Sequence, residues 1–442
     1  MEKIPQFVIA APASGSGKTM VARGLMRVLA RKGLRVQPFK CGPDYIDTKF
    51  HALACGTPSV NLDCFMASAV HVQALYAHYS QAKEACVVEG MMGLFDGYDR
   101  DKGSAAAIAE LLNLPVVLVV DAKSAAYSTA ALISGFLHFR QTLRFAGVLF
   151  NRVGSARHFA MLHEVCEDLA IPCLGYLPRD KRLEQSSRYL GLDFSQTEAE
   201  ETLDYLADLL EQHVALDQLF AETLKERPAD QDPFPLTRPC GWRISVACDA
   251  ESFTFIYTQH LDLLRRMGEV RFFDPERDEP LPADTDLLYL PGGYPEQRVE
   301  CLSAAKRSIS SIRSYLTVGG KALAECGGMI YLTEGIRRTE APTFVPLAGV
   351  IPCSITAEES HKKLSLGYRQ FTYNEQPLRG HEFHYTQFAE GAALPASIAE
   401  VRNAKGQPSG TPVFRLRNLI ASYAHLYWGE IDVCSLFNES AR

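Results

Sequence analysis

Phe7-Val8-Ile9-Ala10-Ala11-Pro12-Ala13-Ser14-Gly15-Ser16-Gly17-Lys18-Thr19 decides how the first half of the chain folds. Residues 7–10 read as a buried strand, the small residues after them as a loop, and residues 20–32 as the helix into which the loop opens. That order makes a phosphate cradle, because backbone N–H groups converge where the helix's partial positive charge favours an anion. Gly15 and Gly17 give the turn, Lys18 can reach the β- and γ-phosphates of a nucleotide, and the Thr19 hydroxyl can ligate Mg²⁺. Pro12 stands where the full pattern has Gly, so the loop is a variant.

Outward from this loop, short apolar runs at 36–39, 86–88, 116–120, 148–150 and 173–176 alternate with helix-like stretches. Such runs suit strands buried on both faces of a parallel sheet covered by helices. Ligands in such sheets sit beyond the strand C-termini, so the polar residues that follow each strand matter most. Lys40-Cys41-Gly42-Pro43-Asp44-Tyr45-Ile46-Asp47 follows the second run, and Glu89-Gly90 the third. Asp44, Asp47 and Glu89 are candidate Mg²⁺ ligands, since Mg²⁺ takes carboxylates alongside phosphate oxygens. Asp121 reads equally as a cap or a ligand, and the amide of Asn151 can read an adenine edge.

Residues 198–224 read as one helix, and Pro228, Pro233, Pro235 and Pro239 then break regular structure. The expected organisation is a phosphate-loop domain over 1–224, a linker over 225–240 and a second α/β domain over 241–442. In the second, strands are expected at 244–248, 270–273, 287–290, 322–324 and 419–423, with helices at 255–267 and 309–318. The fold class is α/β, two domains, each a mostly parallel sheet covered by helices.

In Glu325-Cys326-Gly327-Gly328 the cysteine sits on a strand-to-helix turn, which is expected to expose the sulfur and lower its pKa through the helix N-terminus. A nucleophilic Cys needs a base. His425, in Ala421-Ser422-Tyr423-Ala424-His425, is the candidate, with His381 and His384 competing. Gly293 and Gly327 can offer backbone N–H groups to an oxyanion.

Composition bounds these readings. The 442 residues are 47% hydrophobic with formal net charge −7, and no basic block suggests a nucleic-acid partner. Twelve cysteines without CxxC pairs suit free thiols in a reducing cytoplasm rather than a disulfide frame or zinc site. The longest apolar stretch, 111–120, falls short of the ~20 residues a bilayer span needs, so no membrane span is expected, and no signal peptide is expected because Met1-Glu2-Lys3 runs straight into a strand.

Taken with Pro291-Gly292-Gly293-Tyr294-Pro295-Glu296, Glu89-Gly90-Met91-Met92-Gly93-Leu94-Phe95-Asp96-Gly97 and Gly380-His381-Glu382-Phe383-His384-Tyr385, these stretches resemble the cobyrinate a,c-diamide synthase family along essentially the whole chain. The resemblance implies a dethiobiotin-synthetase-like domain followed by a class I glutamine amidotransferase domain. Glutamine would acylate Cys326, His425 would act as base, and the ammonia would pass to the first domain. There ATP–Mg²⁺ would phosphorylate carboxylates of cobyrinate, and ammonia would displace phosphate at the a and c side chains. Tyr45 and Ile46 fall where the family positions that substrate. Hydrogenobyrinate and nickel-sirohydrochlorin remain alternative substrates, and a homodimer is left open. Cobyric acid synthase is a rival disfavoured by residues 40–47. A partitioning-type ATPase is disfavoured by Ala13, where those proteins carry a signature Lys, and by the Cys-bearing second domain. Many amidotransferases carry Glu two residues after the catalytic His. Tyr427 stands there, which implies a Cys–His dyad, with Glu382 and Glu430 as further orienting candidates.

Overall fold

The computed structural model describes residues 2–186, 196–340, 342–391 and 393–438. It divides into two compact units, Met1–Cys64 with Ser68–Pro233, and Phe65–Ala67 with Phe234–Arg442.

In the first unit the strands are β1 (Lys3–Ala10), β2 (Val36–Cys41), β3 (Val60–Leu62), β4 (Ala85–Glu89), β5 (Val116–Asp121), β6 (Phe145–Val153), β7 (Cys173–Pro178) and β8 (Leu224–Glu226). They form one sheet in the order β3-β2-β4-β1-β5-β6-β7, with β8 on β1. All pairs are parallel except β8 on β1. The chain enters at β1 and then fills both sides of it, so the switch point lies at the C-terminal end of β1, the place where open α/β sheets bind ligands. Helix α1 (Lys18–Arg31) begins there and packs Val21, Leu25, Val28 and Leu29 into the core. Helix α2 (Ile46–Cys55) follows β2.

Two sequence expectations change here. The single helix read over 198–224 is two, Gln196–His213 and Leu216–Thr223. The break arises because Ala215 N–H donates to the Leu174 carbonyl of β7 (2.9 Å), so backbone pairing with the sheet wins over helix continuation. The start of the stretch read as linker, 225–240, belongs to β8, whose Leu224–Glu226 pair with Lys3–Pro5 of β1.

In the second unit β9 (Trp242–Ala247), β10 (Gly268–Phe273), β11 (Leu287–Leu290), β12 (Lys321–Glu325), β19 (Val413–Leu416) and β20 (Leu419–Ser422) form a six-stranded sheet ordered β10-β9-β11-β12-β20-β19. All its pairs are parallel except the β19–β20 hairpin. Most of the chain between β12 and β19, joined by a last strand after β20, builds two smaller sheets for which the sequence carried no clear period. One contains β13 (Thr333–Arg337), β14 (Phe344–Pro346), β15 (Ile351–Thr356) and β18 (Gln387–Phe388). The other contains β16 (Ser365–Tyr373), β17 (Gln376–His384) and β21 (His425–Tyr427). Helix α3 (Gly327–Leu332) is short and buried along its length. Among the described residues no helix is long and apolar enough to cross a membrane.

Candidate active sites

The cradle of the first unit is shaped by one backbone requirement. Gly17 takes φ +93° immediately before α1, and a Cβ there would lie 2.0 Å from Asn151 Nδ2. Only glycine meets both conditions without strain. The Asn151 amide sits tight because its Nδ2 donates to the Ser16 carbonyl (2.9 Å) while its Oδ1 accepts the Arg152 N–H (2.9 Å). The side chain expected to read an adenine edge thus hydrogen-bonds to the loop that precedes α1. On the other side, Gly90 N–H donates to Ile9 O (2.9 Å) and Leu94 N–H to Ala11 O (2.8 Å).

Around this loop the ends of β1, β4 and β2 bring the expected residues together. Lys40 and Glu89 are register partners across β2 and β4. The ammonium of Lys40 lies 2.9 Å from Glu89 Oε1, 2.5 Å from Asp47 Oδ2 and 3.9 Å from Asp44 Oδ2. Thr19 Oγ1 donates to Glu89 Oε1 (2.5 Å), and Arg23 pairs with Asp47 Oδ1 (2.8 Å). Lys40 is 2% exposed. Burial alone would depress its pKa, but Glu89 and then Asp47 outweigh that cost and keep the ammonium charged. Burial would likewise push Glu89 up, yet Lys40 and His51 hold its carboxyl well below the usual range. Lys18 is pushed down, first by burial and then by Lys40.

Asp44 Oδ1 accepts the Ile46 and Asp47 N–H groups (2.8 and 2.9 Å), which starts α2, where Tyr45 and Ile46 are half-buried. Asp121 caps Lys123 N–H (3.0 Å) and pairs with Arg152 (2.6 Å), a structural arrangement. Sequence reasoning missed His51, whose Nε2 lies 2.6 Å from Glu89 Oε2 and whose Nδ1 lies 3.0 Å from Ser59 Oγ. A lone His on a helix gives no sequence signal. Among the described residues no group of three His, Cys, Asp or Glu is arranged to hold a metal ion. The Lys40 ammonium stands among the carboxylates.

The second unit assembles its site at three neighbouring strand ends. β11, β12 and β20 are adjacent and parallel. They lead respectively into Pro291-Gly292-Gly293, Cys326-Gly327 and Tyr423-Ala424-His425. Cys326 N–H donates to Ser422 O (2.8 Å). A Cβ on Gly327 would lie 2.9 Å from Gly293 N, and one on Gly292 would lie 2.1 Å from His425 Cε1. The three loops therefore touch, and Gly292, which sequence reasoning did not single out, is what lets the imidazole close.

Cys326 adopts φ +45° and ψ −107°, a strained turn that places the side chain at the end of the sheet. The expected exposed, acidified thiol is corrected, however. Cys326 is 2% exposed, with Sγ 3.9 Å from the Phe383 carbonyl of β17. Burial, with Glu296 adding to it, pushes the thiol well above its usual value. The six residues of α3 bring too little positive field to offset that burial. His425 is pushed down to about 3, chiefly by burial and then by His381 and His384. Both groups are thus neutral at rest.

The competing histidines have other surroundings. His384 contacts Glu382 Oε1 (2.7 Å) and the Thr386 carbonyl (2.7 Å), and stacks on Tyr423 at 3.7 Å between ring centroids. His381 is the register partner of His425 across β17 and β21. Glu382, an orienting candidate, is engaged by His384, by Arg369 (2.5 Å) and by Thr411 (2.6 Å).

The chain matches two family models, a nucleotide-binding domain of the CobQ/CobB/MinD/ParA type over residues 7–192 and a CobB/CobQ-like glutamine amidotransferase domain over residues 243–432. A hydrogenobyrinate a,c-diamide synthase of Brucella anthropi is 41% identical, with 97% of this chain and 98% of that one covered. One of Pseudomonas aeruginosa is 39% identical, covering 96% and 95%. A cobyrinate a,c-diamide synthase of Caldanaerobacter subterraneus is 36% identical, covering 95% and 94%.

Proposed function

Because this chain belongs to the hydrogenobyrinate and cobyrinate a,c-diamide synthase family, we propose that its two sites divide one amidation between them. The reaction is glutamine-dependent amidation of corrin-ring carboxylates, a step of cobalamin biosynthesis. The observation that supports the division is the meeting of Cys326, Gly293, Gly327 and His425 at three adjacent strand ends.

In the second unit the Cys326 thiol attacks the glutamine amide carbon while its proton passes to His425. Since thiol and imidazole are both neutral at rest, proton transfer accompanies attack and no thiolate waits in the free site. The Gly293 and Gly327 N–H groups stabilise the oxyanion. His425 gives that proton to the amide nitrogen, ammonia leaves as the C–N bond breaks, and water hydrolyses the thioester to glutamate, freeing the Cys326 thiol. The buried sulfur requires the β17 edge at Phe383 to yield when glutamine enters.

In the first unit ATP sits on the loop from Gly15 to Thr19, with Lys18 and Asn151 shaping its phosphate end. A substrate carboxylate attacks the γ-phosphate, giving an acyl phosphate with a good leaving group, and ammonia then displaces phosphate. The donors near the loop are hard oxygens that fit Mg²⁺: the Thr19 hydroxyl and the carboxylates of Glu89, Asp44 and Asp47. Asp47 would join only by releasing Arg23 or Lys40. Bound Mg²⁺ would neutralise phosphate charge. Tyr45 and Ile46, at the start of α2, would meet the ring.

The substrate proposed is cobyrinate. Relatives named for hydrogenobyrinate at 38–41% identity favour the metal-free ring as a second reading. The test is mass analysis after incubation with ATP and glutamine, or ATP and ammonia, in separate arms for cobyrinate, hydrogenobyrinate and nickel-sirohydrochlorin. Each conversion exchanges OH for NH₂, so mass counts the amides formed. Cys326→Ser should lose amidation from glutamine and keep it from ammonia. Equal use of glutamine by that variant would overturn the assignment of Cys326.

A further inference from the structure

Glu325 ends β12 directly before Cys326, and its side chain is fully enclosed. Its Oε1 accepts the N–H of Leu426 (3.0 Å), the residue immediately after His425. Its Oε2 accepts the hydroxyl of Tyr289 (2.9 Å) on β11, the strand that runs into Gly292 and Gly293. One carboxyl group thus touches all three strand ends that carry the site. The β12–β20 ladder ends at the Glu325–Ser422 pair, so past that point it does not hold Tyr423, Ala424 and His425 against the Cys326 turn. The Glu325 side chain spans that gap.

We propose that Glu325 is the positioning residue of the glutaminase centre, bridging Leu426 and Tyr289 so that thiol, imidazole and oxyanion N–H groups stay in register. The proposal rests on the reading of Cys326 and His425 as nucleophile and base. Glu325 touches neither substrate nor the reacting atoms; it acts through the backbone on either side. Burial pushes its carboxyl up to about 8, so near pH 7 the group is largely the neutral acid, whose carbonyl oxygen accepts from Leu426 N–H and whose O–H lies in the contact with the Tyr289 oxygen, a hydrogen-bonding bridge rather than a charge. The amide of Gln has the same length and can make both contacts, accepting from Leu426 N–H and donating to the Tyr289 oxygen. Asp keeps the acid but is one methylene shorter, and so leaves one contact unmade.

The test measures glutamate release from glutamine by the full chain, with circular dichroism melting as the check on folding. Glu325→Gln is expected to keep kcat within about threefold of wild type, while Glu325→Asp and Glu325→Leu lose about tenfold or more with KM for glutamine changed less than about threefold. The ordering of Gln above Asp decides the matter even if the Leu variant fails to fold. Asp equal to or above Gln, or wild-type kcat in a folded Leu variant, overturns the positioning role. So does a loss confined to KM. Cys326→Ser runs in parallel: full glutamate release by that variant sinks the underlying reading, whereas its loss beside unaffected Glu325 variants sinks this proposal alone.

Discussion

Replacing Lys40 with Met tests the electrostatics of the first site. The change keeps the length of the buried stem and removes the ammonium that faces Glu89 at 2.9 Å and Asp47 at 2.5 Å. At an effective dielectric of about 20, one such pair attracts by about 6 kcal/mol before desolvation is counted. Burying the charges cancels much of that, and removing one partner of a buried pair costs about 3–5 kcal/mol because the other is left uncompensated. For a unit of this size the loss corresponds to a fall in melting temperature of roughly 6–20 °C. Calorimetry of the full chain reads it, and tryptophan fluorescence supplies an internal reference, since both Trp242 and Trp428 lie in the second unit. Adding Glu89→Gln should recover part of the loss, with a coupling energy of about 2–3 kcal/mol.

The pH dependence follows from the direction of each shift. Lys40 is raised in the folded state, so its contribution is complete below the ordinary lysine value of about 10.4 and is lost as pH climbs through the folded value. Glu89 is depressed, so its contribution is complete above about 4.3 and is lost as pH falls through the folded value. The gap between wild type and Lys40→Met should therefore be widest between about pH 5 and 10 and narrow on acidification. A gap under about 1 kcal/mol at pH 7, or a double variant as unstable as the sum of the singles, would refute the buried-network account.

Two further outcomes are expected. Glu89→Gln should lower amidation at least about tenfold with either glutamine or ammonia, because the carboxylate serves the ATP site upstream of the nitrogen source; unchanged turnover in the mass assay removes Glu89 from that site. Gly292→Ala places a methyl 2.1 Å from His425 Cε1, so the imidazole or the loop must move. Glutamate release should fall about 100-fold, a loss typical of displacing a reacting group by about 1 Å, and wild-type release would show that the ring does not need its present seat.

How much of this was legible in the sequence depended on period and on chemistry. The buried parallel strands announced themselves as short apolar runs, and Gly15, Gly17, Lys18, Thr19, Cys326 and Gly327 stood at strand ends where ligands bind. The sheet of β13, β14, β15 and β18 did not, because strands such as Phe344–Pro346 and Gln387–Phe388 are too short to show alternation. The split at residues 214–215 was invisible because its cause is the Leu174 carbonyl, some forty residues earlier. The burial of Cys326 was also illegible. The thiol lies close to the Phe383 carbonyl, on a strand that the sequence shows no sign of placing over it.

Glu89 and Glu325 show why residue type alone cannot settle chemistry. Each closes a parallel strand, β4 or β12, at the edge where a site forms, and each carboxyl is wholly buried. Burial favours the neutral acid in both places. Glu89 nonetheless stays ionised, because Lys40 stands beside it and His51 and Thr19 hydrogen-bond to it. Glu325 is met by the Leu426 N–H, the Tyr289 hydroxyl and the Trp428 side chain, which are neutral donors too weak to offset its burial, so its pKa rises to about 8. The first is therefore suited to a site that handles cations and phosphate, and the second to holding strands in register without placing a negative charge beside a thiol that must attack. Installing a lysine opposite Glu325 would ionise it and raise the cost of forming the thiolate. Among the described residues no lysine shifts Glu325, and that is as much a part of the second site as Lys40 is of the first.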